Sequence, residues 1–329
     1  MDKIRWGILG TGGIANTFAK GLSVLPDAEL VAVGSRKQET ADVFANKYNI
    51  PHRHPSYEAL ANDPDVDAIY VCTPHPMHKD AVMVSLKGGK AVLCEKPFTL
   101  NAAEAQEVIT YARQHKLFLM EAMWTRFLPV MGKVRELVAQ GAIGDVRAVM
   151  ADFGFRTDFN PSSRLLAPEL GGGALLDVGV YVTSFASMVL GGKVAPRIVS
   201  LADLGQTGVD EQSAFILGYP QGRLAMLFSA VRTESPHEAI VMGENGRIKV
   251  HAQFYHSTRL TLSVRGQEDQ VIDVPYEGNG FNYEIAEVMR CLRAGKLESD
   301  ILPLDETLAI MQTLDAIRAP WGLKYPTES

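Results

Sequence analysis

Residues 4–22 constrain this chain more than any other stretch. Ile4-Arg5-Trp6-Gly7-Ile8-Leu9 reads as a short buried strand. Gly10-Thr11-Gly12-Gly13-Ile14-Ala15 follows at once, and the residues from Asn16 to Leu22 carry helical apolar spacing. This is G-x-G-x-x-A in the strand–turn–helix setting that it needs. Gly10 permits the tight turn, Gly12 lets a pyrophosphate approach the backbone, and Ala15 allows the helix to pack closely on the strand. The helix N-terminus then offers its unpaired amides to the anion. Alone the motif is unspecific, but a second strand, Glu29-Leu30-Val31-Ala32-Val33-Gly34, follows where a βαβ unit requires one.

That second strand ends in Ser35-Arg36-Lys37. An NAD-type site places Asp or Glu there, on the ribose 2′-hydroxyl. A small hydroxyl and two cations suit a 2′-phosphate instead, Arg36 through its planar fork. The competing reading is a solvated helix start. A cation at a helix N-terminus opposes the macrodipole, however, which argues for a compensating anion. NADP is therefore expected over NAD.

The alternation continues with helices over 39–48 and 56–61, a strand over 66–72, a helix over 77–87 and a strand at Ala91-Val92-Leu93-Cys94. A helix then starts near Asn101, its plausible N-cap, and Leu117-Phe118-Leu119-Met120 closes the set. Strands separated by helices imply a doubly wound parallel sheet of the Rossmann type, which binds ligands beyond the carboxyl ends of its strands. Gly10, Ser35, Thr73 and Lys96 all fall at such ends. Lys96 lies between Glu95, able to hold it, and Pro97, which fixes the backbone.

At 329 residues the chain exceeds what one core usually serves. The pattern changes after Glu121, so the expected domains are 1–122, a nucleotide-binding domain, and 123–329, a substrate-binding and dimerisation domain. The second half offers strand-like runs over 146–155, 196–204, 212–219, 222–229, 237–243, 246–250, 257–264 and 270–274, with helices over 130–140, 280–294 and 305–318. Many runs alternate apolar with polar, as in Arg223-Leu224-Ala225-Met226-Leu227-Phe228. The expected fold is α/β, with a large, mostly antiparallel open sheet in the second half, one face on helices and the other open or in a subunit contact.

Within that half, Gly171-Gly172-Gly173-Ala174-Leu175-Leu176-Asp177-Val178-Gly179-Val180-Tyr181 carries a carboxylate and a phenol four residues apart. On a helix they share a side. A phenol beside a cation suits proton transfer, because the cation lowers a pKa of about 10. Lys96 is the candidate cation. The structural alternative is a Gly-rich loop opening a buried helix, with Tyr181 merely packing.

A net charge of -6 gives no reason to expect nucleic acid or an anionic membrane as partner. No run approaches the roughly 18 apolar residues of a membrane span. Cys72, Cys94 and Cys291 lack metal-like spacing and read as reduced thiols of a cytoplasmic protein. The pairs His52/His54 and His75/His78 read as surface or loop histidines, so no metal is expected.

Assembled, the Gly12, Glu95-Lys96-Pro97 and Asp177–Tyr181 positions make the chain resemble the Gfo/Idh/MocA family of NAD(P)-dependent oxidoreductases over essentially its full length. Glu121-Ala122-Met123-Trp124-Thr125-Arg126-Phe127 and the stretch from Leu170 to Tyr181 resemble its branch of trans-1,2-dihydrobenzene-1,2-diol and NADP-dependent D-xylose 1-dehydrogenases. Many members of the family carry His where this chain has Tyr181. The resemblance implies a dehydrogenase acting on CH–OH groups of a cyclic sugar or vicinal diol, with Lys96 and Tyr181 as the catalytic pair and Asp177 beside them. It implies a cofactor site of Gly10, Thr11, Gly12, Gly13, Ile14, Ser35, Arg36, Lys37, Thr73, Pro74, His78, Glu95, Lys96 and Pro97. Trp124, Phe153 and Phe155 are expected to wall the substrate, and the open sheet to form a homodimer or homotetramer. Alternatives are a keto-sugar or inositol reductase, a sugar–sugar oxidoreductase with retained NADP, and a nucleotide-binding regulator without catalysis.

Overall fold

The computed structural model describes residues 3–192 and 197–328. Pro196, the expected start of one strand, lies outside the described residues. The chain groups into two compact units: Met1–Trp124 with Glu277–Thr307, and Thr125–Tyr276 with Leu308–Ser329. The expected division was linear; the observed grouping returns residues 277–307 to the first unit.

The first unit holds a six-stranded sheet built from β1 Ile4–Leu9, β2 Ala28–Gly34, β3 His52–His54, β4 Ala68–Val71, β5 Ala91–Glu95 and β6 Leu119–Ala122. Its order is β3-β2-β1-β4-β5-β6, and every pairing is parallel. Between the strands run α1 Gly13–Leu22, α2 Gln38–Tyr48, α3 Tyr57–Ala61, α4 His78–Lys87 and α5 Ala102–Gln114. Helices on both faces explain why β1 and β4 are apolar without alternation: Trp6, Ile8, Leu9, Ile69, Tyr70 and Val71 are all fully buried. Helix α1 buries Ala15, Phe18, Ala19 and Leu22, the i, i+3, i+4, i+7 stripe of an amphipathic helix. Phe18 stacks on Tyr70 with centroids 3.8 Å apart, fastening α1 over β4. Asn101 caps α5 as expected, its Oδ1 accepting the Glu104 amide at 2.9 Å. The strand order reverses between β1 and β4, which opens the crevice where such sheets bind ligands.

In the second unit α6 Pro129–Ala139 precedes an eight-stranded sheet of β7 Val146–Gly154, β8 Arg197–Leu204, β9 Asp210–Gly218, β10 Leu224–Ala230, β11 Ala239–Gly243, β12 Gly246–Val250, β13 Arg259–Val264 and β14 Gln270–Asp273. Its order is β14-β13-β12-β11-β7-β10-β9-β8, antiparallel except for the pair β7 and β10. Helix α7, Val180–Leu190, packs on β7 and β10. The alternation in the sequence is realised: Ala225 and Leu227 face the core while Leu224 and Met226 face outward. On that outer face Val199 and Leu201 are 71% and 79% exposed. Residues 168–190 are long and apolar enough to cross a membrane, but 89% of the apolar window is buried, as in a core helix. The chain continues with α8 Phe281–Arg293, in the first unit, and α9 Leu304–Arg318.

Candidate functional site

In the first unit the glycine turn has the geometry that its sequence requires. Gly10 has φ 110°, and a Cβ there would stand 3.0 Å from the Cys72 carbonyl oxygen. Helix α1 starts at Gly13 without a side-chain cap and without an acid in its first turn. Among the described residues, apart from the adjoining chain and the helix's own backbone, no atom lies within 4 Å of where a Cβ of Gly12 or Gly13 would be. Uncapped amides in open space, with no carboxylate to repel an anion, suit a pyrophosphate. Thr73, at the end of β4, is buried and its Oγ1 has no hydrogen-bond partner among the described residues. A buried hydroxyl left unpaired is costly unless a ligand satisfies it. After β2, Ser35 is buried with its Oγ 2.5 Å from Thr40 Oγ1, whereas Arg36 and Lys37 are exposed. Neither cation pairs with a carboxylate among the described residues. These features fit a phosphorylated dinucleotide.

At the end of β5, Glu95 is buried. The Tyr70 hydroxyl donates to its Oε1, and its Oε2 accepts the Lys96 amide at 3.1 Å. Lys96 is half-buried and its bond to Pro97 is cis. His78 departs from the expectation of a surface or loop residue. It is fully buried, with Nδ1 2.8 Å from the Pro97 carbonyl and Nε2 2.8 Å from that of Thr73. Burial lowers its pKa. The ring therefore braces the chain after β4 against the chain after β5, because the Pro-rich turn that precedes α4 points it inward. Glu284 of α8 gave no signal in the sequence. It is fully buried with both oxygens unpartnered among the described residues, and burial together with Glu95 holds its carboxyl well above the usual range. Trp124, expected on the substrate wall, belongs to this unit and stacks on Phe281 with centroids 5.1 Å apart.

In the second unit, Gly171 and Gly173 take positive φ, 70° and 117°, as the chain turns into a helix. Asp210, at the head of β9, caps that helix: its Oδ2 accepts the Leu175 amide at 2.7 Å. Residues Leu175–Gly179 form a π-turn that runs directly into α7. The expected regular helix is thus locally widened, a feature frequent at functional sites. Asp177 sits in the wide turn, almost fully buried, and Arg164 donates to its Oδ1 at 2.8 Å. Tyr181, 8% exposed, lies edge-on to Phe153 at 5.3 Å and to Tyr255 at 6.0 Å. Phe153 and Tyr255 are stacked at 4.1 Å, and Phe155 is 6.5 Å from Phe153. Sequence reasoning missed Arg164, Asp210 and Tyr255. Only Asp210 had a usable signal, an acid opening an apolar strand.

Asp210 makes a pH-dependent contribution. Burial raises its pKa to about 7, against the Leu175 amide and Arg318, which oppose the rise. The folded state therefore holds a proton that the unfolded chain has released above its ordinary value. Stability from this group is complete below about pH 4 and is lost as pH rises through about 7, by about 2–4 kcal/mol. Asp210→Asn is expected to remove that decline. Urea denaturation of both proteins at about pH 4.5, about 6 and about 8, within the window and above it, measures it; parallel curves would contradict the assignment.

A Rossmann sheet with an open glycine turn, in a chain whose second unit is built on an open sheet, places the protein in the class of dinucleotide-binding proteins. Residues 4–123 match the model of the oxidoreductase family with an NAD-binding Rossmann fold, and residues 131–249 match the GFO/IDH/MocA C-terminal domain. The chain belongs to the Gfo/Idh/MocA family and is an oxidoreductase. It is 40% identical to the trans-1,2-dihydrobenzene-1,2-diol dehydrogenase of Xenopus tropicalis, over 98% of this chain and 99% of that one. The human enzyme of that name is 38% identical over 99% of both chains. Among solved structures, aldose-aldose oxidoreductase from Caulobacter crescentus, complexed with glycerol, superposes with TM-score 0.88 at 25% identity, covering 96% of this chain and 97% of that one. A 3-ketoreductase from Actinomadura kijaniata, with NADP and TDP-benzene, gives 0.86 at 25% identity, covering 97% and 98%.

Proposed function

We propose that this protein is an NADP-dependent dehydrogenase that oxidises a CH–OH group on a six-membered ring, either a vicinal trans-diol or a pyranose of the D-xylose type at C1. In this reading the first unit binds the dinucleotide and the second binds the substrate. The observation that carries the reading is the second unit's aromatic platform: Phe153 stacked on Tyr255, with Tyr181 edge-on to both. A flat apolar surface beside a phenol receives a ring face and leaves a hydroxyl for the phenol. The relatives named as dihydrodiol dehydrogenases support a ring diol.

Tyr181, as phenolate, takes the hydroxyl proton in oxidation. Lys96 hydrogen-bonds the reacting oxygen, and its charge favours the phenolate. Asp177, steadied by Arg164, receives a second substrate hydroxyl. Bound NADP⁺ supplies the acceptor for the hydride. Gly10, Thr11, Gly12, Gly13 and Ile14 hold the pyrophosphate; Ser35, Arg36 and Lys37 hold the 2′-phosphate. Thr73, Pro74 and the Glu95-Lys96-Pro97 turn line the nicotinamide end. Arg36→Ala is expected to reduce the preference for NADP over NAD at least about tenfold, the loss of one charge-assisted contact. Kinetics with both coenzymes measure the ratio, and an unchanged ratio rejects the role of Arg36.

The test of the whole reading is a panel of cyclic trans-diols, aldoses and inositols with NADP⁺ and NAD⁺. Turnover of none of them, with NADP still bound, would leave a nucleotide-binding regulator. The likeness to an aldose-aldose oxidoreductase favours a second reading, in which retained NADP shuttles hydride between two sugars. Coenzyme that survives desalting and turns over without added NADP⁺ supports it. The exposed apolar face around Val199, Leu201 and Met226 supports self-association as a homodimer or homotetramer. A monomeric mass by light scattering would remove that part. Three free, buried cysteines suit a cytoplasmic setting.

A further inference from the structure

Strand β3 places His52 and His54 two residues apart, so both rings leave the same face. They reach one carboxylate oxygen: His52 Nδ1 is 2.6 Å and His54 Nε2 is 2.8 Å from Asp63 Oδ2. The Asp63 side chain is 3% exposed, while those of His52 and His54 are 34% and 21% exposed. The acid is anchored from behind. Its Oδ1 accepts the Asp65 amide at 2.9 Å, and its carbonyl accepts Lys90 Nζ at 2.5 Å. The three donor atoms lie within 4.8 Å of one another. A single histidine would already give this buried carboxylate its neighbour. Two imidazoles and one carboxylate, fixed at the bottom and open at the top, are instead the donor set of Zn²⁺ and its first-row neighbours.

We propose that His52 Nδ1, His54 Nε2 and Asp63 Oδ2 form a binding site for a first-row divalent cation of the Zn²⁺ type, with water as the fourth ligand. The proton balance is simple. A ring that donates to Asp63 carries its proton on the nitrogen that faces it. The cation takes those nitrogens, and each proton moves to the far nitrogen of its own ring. His52 Nε2 then has the Asp65 carboxylate as its neighbour, with Oδ2 3.9 Å away. Ligands at about 2.0–2.1 Å from a tetrahedral centre stand roughly 3.3 Å apart, so the rings must draw back from Asp63, from 2.6 and 2.8 Å, and bring their two nitrogens, now within 4.8 Å, to that spacing. Their partial exposure permits it. The Ser35 amide donates to the His54 carbonyl at 3.1 Å, so the same residue is tied to the turn after β2.

The experiment uses the full, untagged chain, stripped with chelator and titrated with Co²⁺ without coenzyme. The expected result is one Co²⁺ per chain with the strong visible absorption of a tetrahedral site, displaced by Zn²⁺. His52→Ala and His54→Ala are each expected to weaken binding at least about a hundredfold, since even a lost outer-shell partner costs about 10–100-fold. His115→Ala, on an exposed helix end, serves as the control that retains binding. Circular dichroism establishes that each variant is folded. No saturable binding below millimolar Co²⁺, or binding retained in either folded His52→Ala or His54→Ala, overturns the proposal. Activity plays no part in the readout, so the result is independent of the dehydrogenase reading.

Discussion

Tyr181→Phe is expected to lower kcat at least about a hundredfold while the Kd for NADP stays within about twofold. The variant is informative because it removes only one oxygen. The ring keeps its edge-on contacts with Phe153 and Tyr255, at 5.3 and 6.0 Å, so the platform and the helix that carries it stay in place. What is lost is the group proposed to accept the substrate's proton, and general-base catalysis supplies about 10²–10⁴-fold. Steady-state kinetics on the best substrate of the panel, with a fluorescence titration of NADP, separate the two quantities. Turnover near that of the parent enzyme would mean that another group takes the proton, and Tyr181 would then be a packing residue.

Gly173→Ala is expected to destabilise the fold by about 2–5 kcal/mol, the sum of two separate penalties. The residue has φ 117°, which only glycine adopts without strain, and the new Cβ would stand 2.3 Å from Asp210 Oδ1. That carboxylate is fully buried and holds the Leu175 amide, so it has nowhere to retreat without uncapping the π-turn. Loss of activity should therefore accompany loss of stability. Gly208→Ala separates the two penalties: φ there is 85°, but no atom lies within 4 Å of the added Cβ. It should cost only the strain, about 1–3 kcal/mol. Equal denaturation midpoints for the two variants would show that the Asp210 contact is not a constraint.

Much of this was legible beforehand, for local reasons. The glycine turn, the buried strands and the Asn101 cap depend on residues that are neighbours in sequence, and period-2 and period-3.6 patterns reveal them directly. Strand β3 was not legible. Three residues, His52 to His54, carry no apolar signal and become a strand only because β2 offers them an edge. The same pairing turns two unremarkable histidines into partners of Asp63. His78 was misread for a related reason: a polar residue just after a proline-rich turn looks like surface, and nothing local reveals that two carbonyls wait for its ring.

By itself the sequence determined the parallel sheet and the alternating open sheet, and it offered candidates for handling a dinucleotide and a proton, because hydrophobic period and glycine geometry are properties of short segments. Tertiary structure decided which groups meet. Arg164 reaches Asp177 from thirteen residues away, Asp210 reaches Leu175 from thirty-five, and Tyr255 stacks on Phe153 from the far side of the sheet sequence. Pairings of that separation are set by how whole elements pack, and the residues between the partners carry no trace of them.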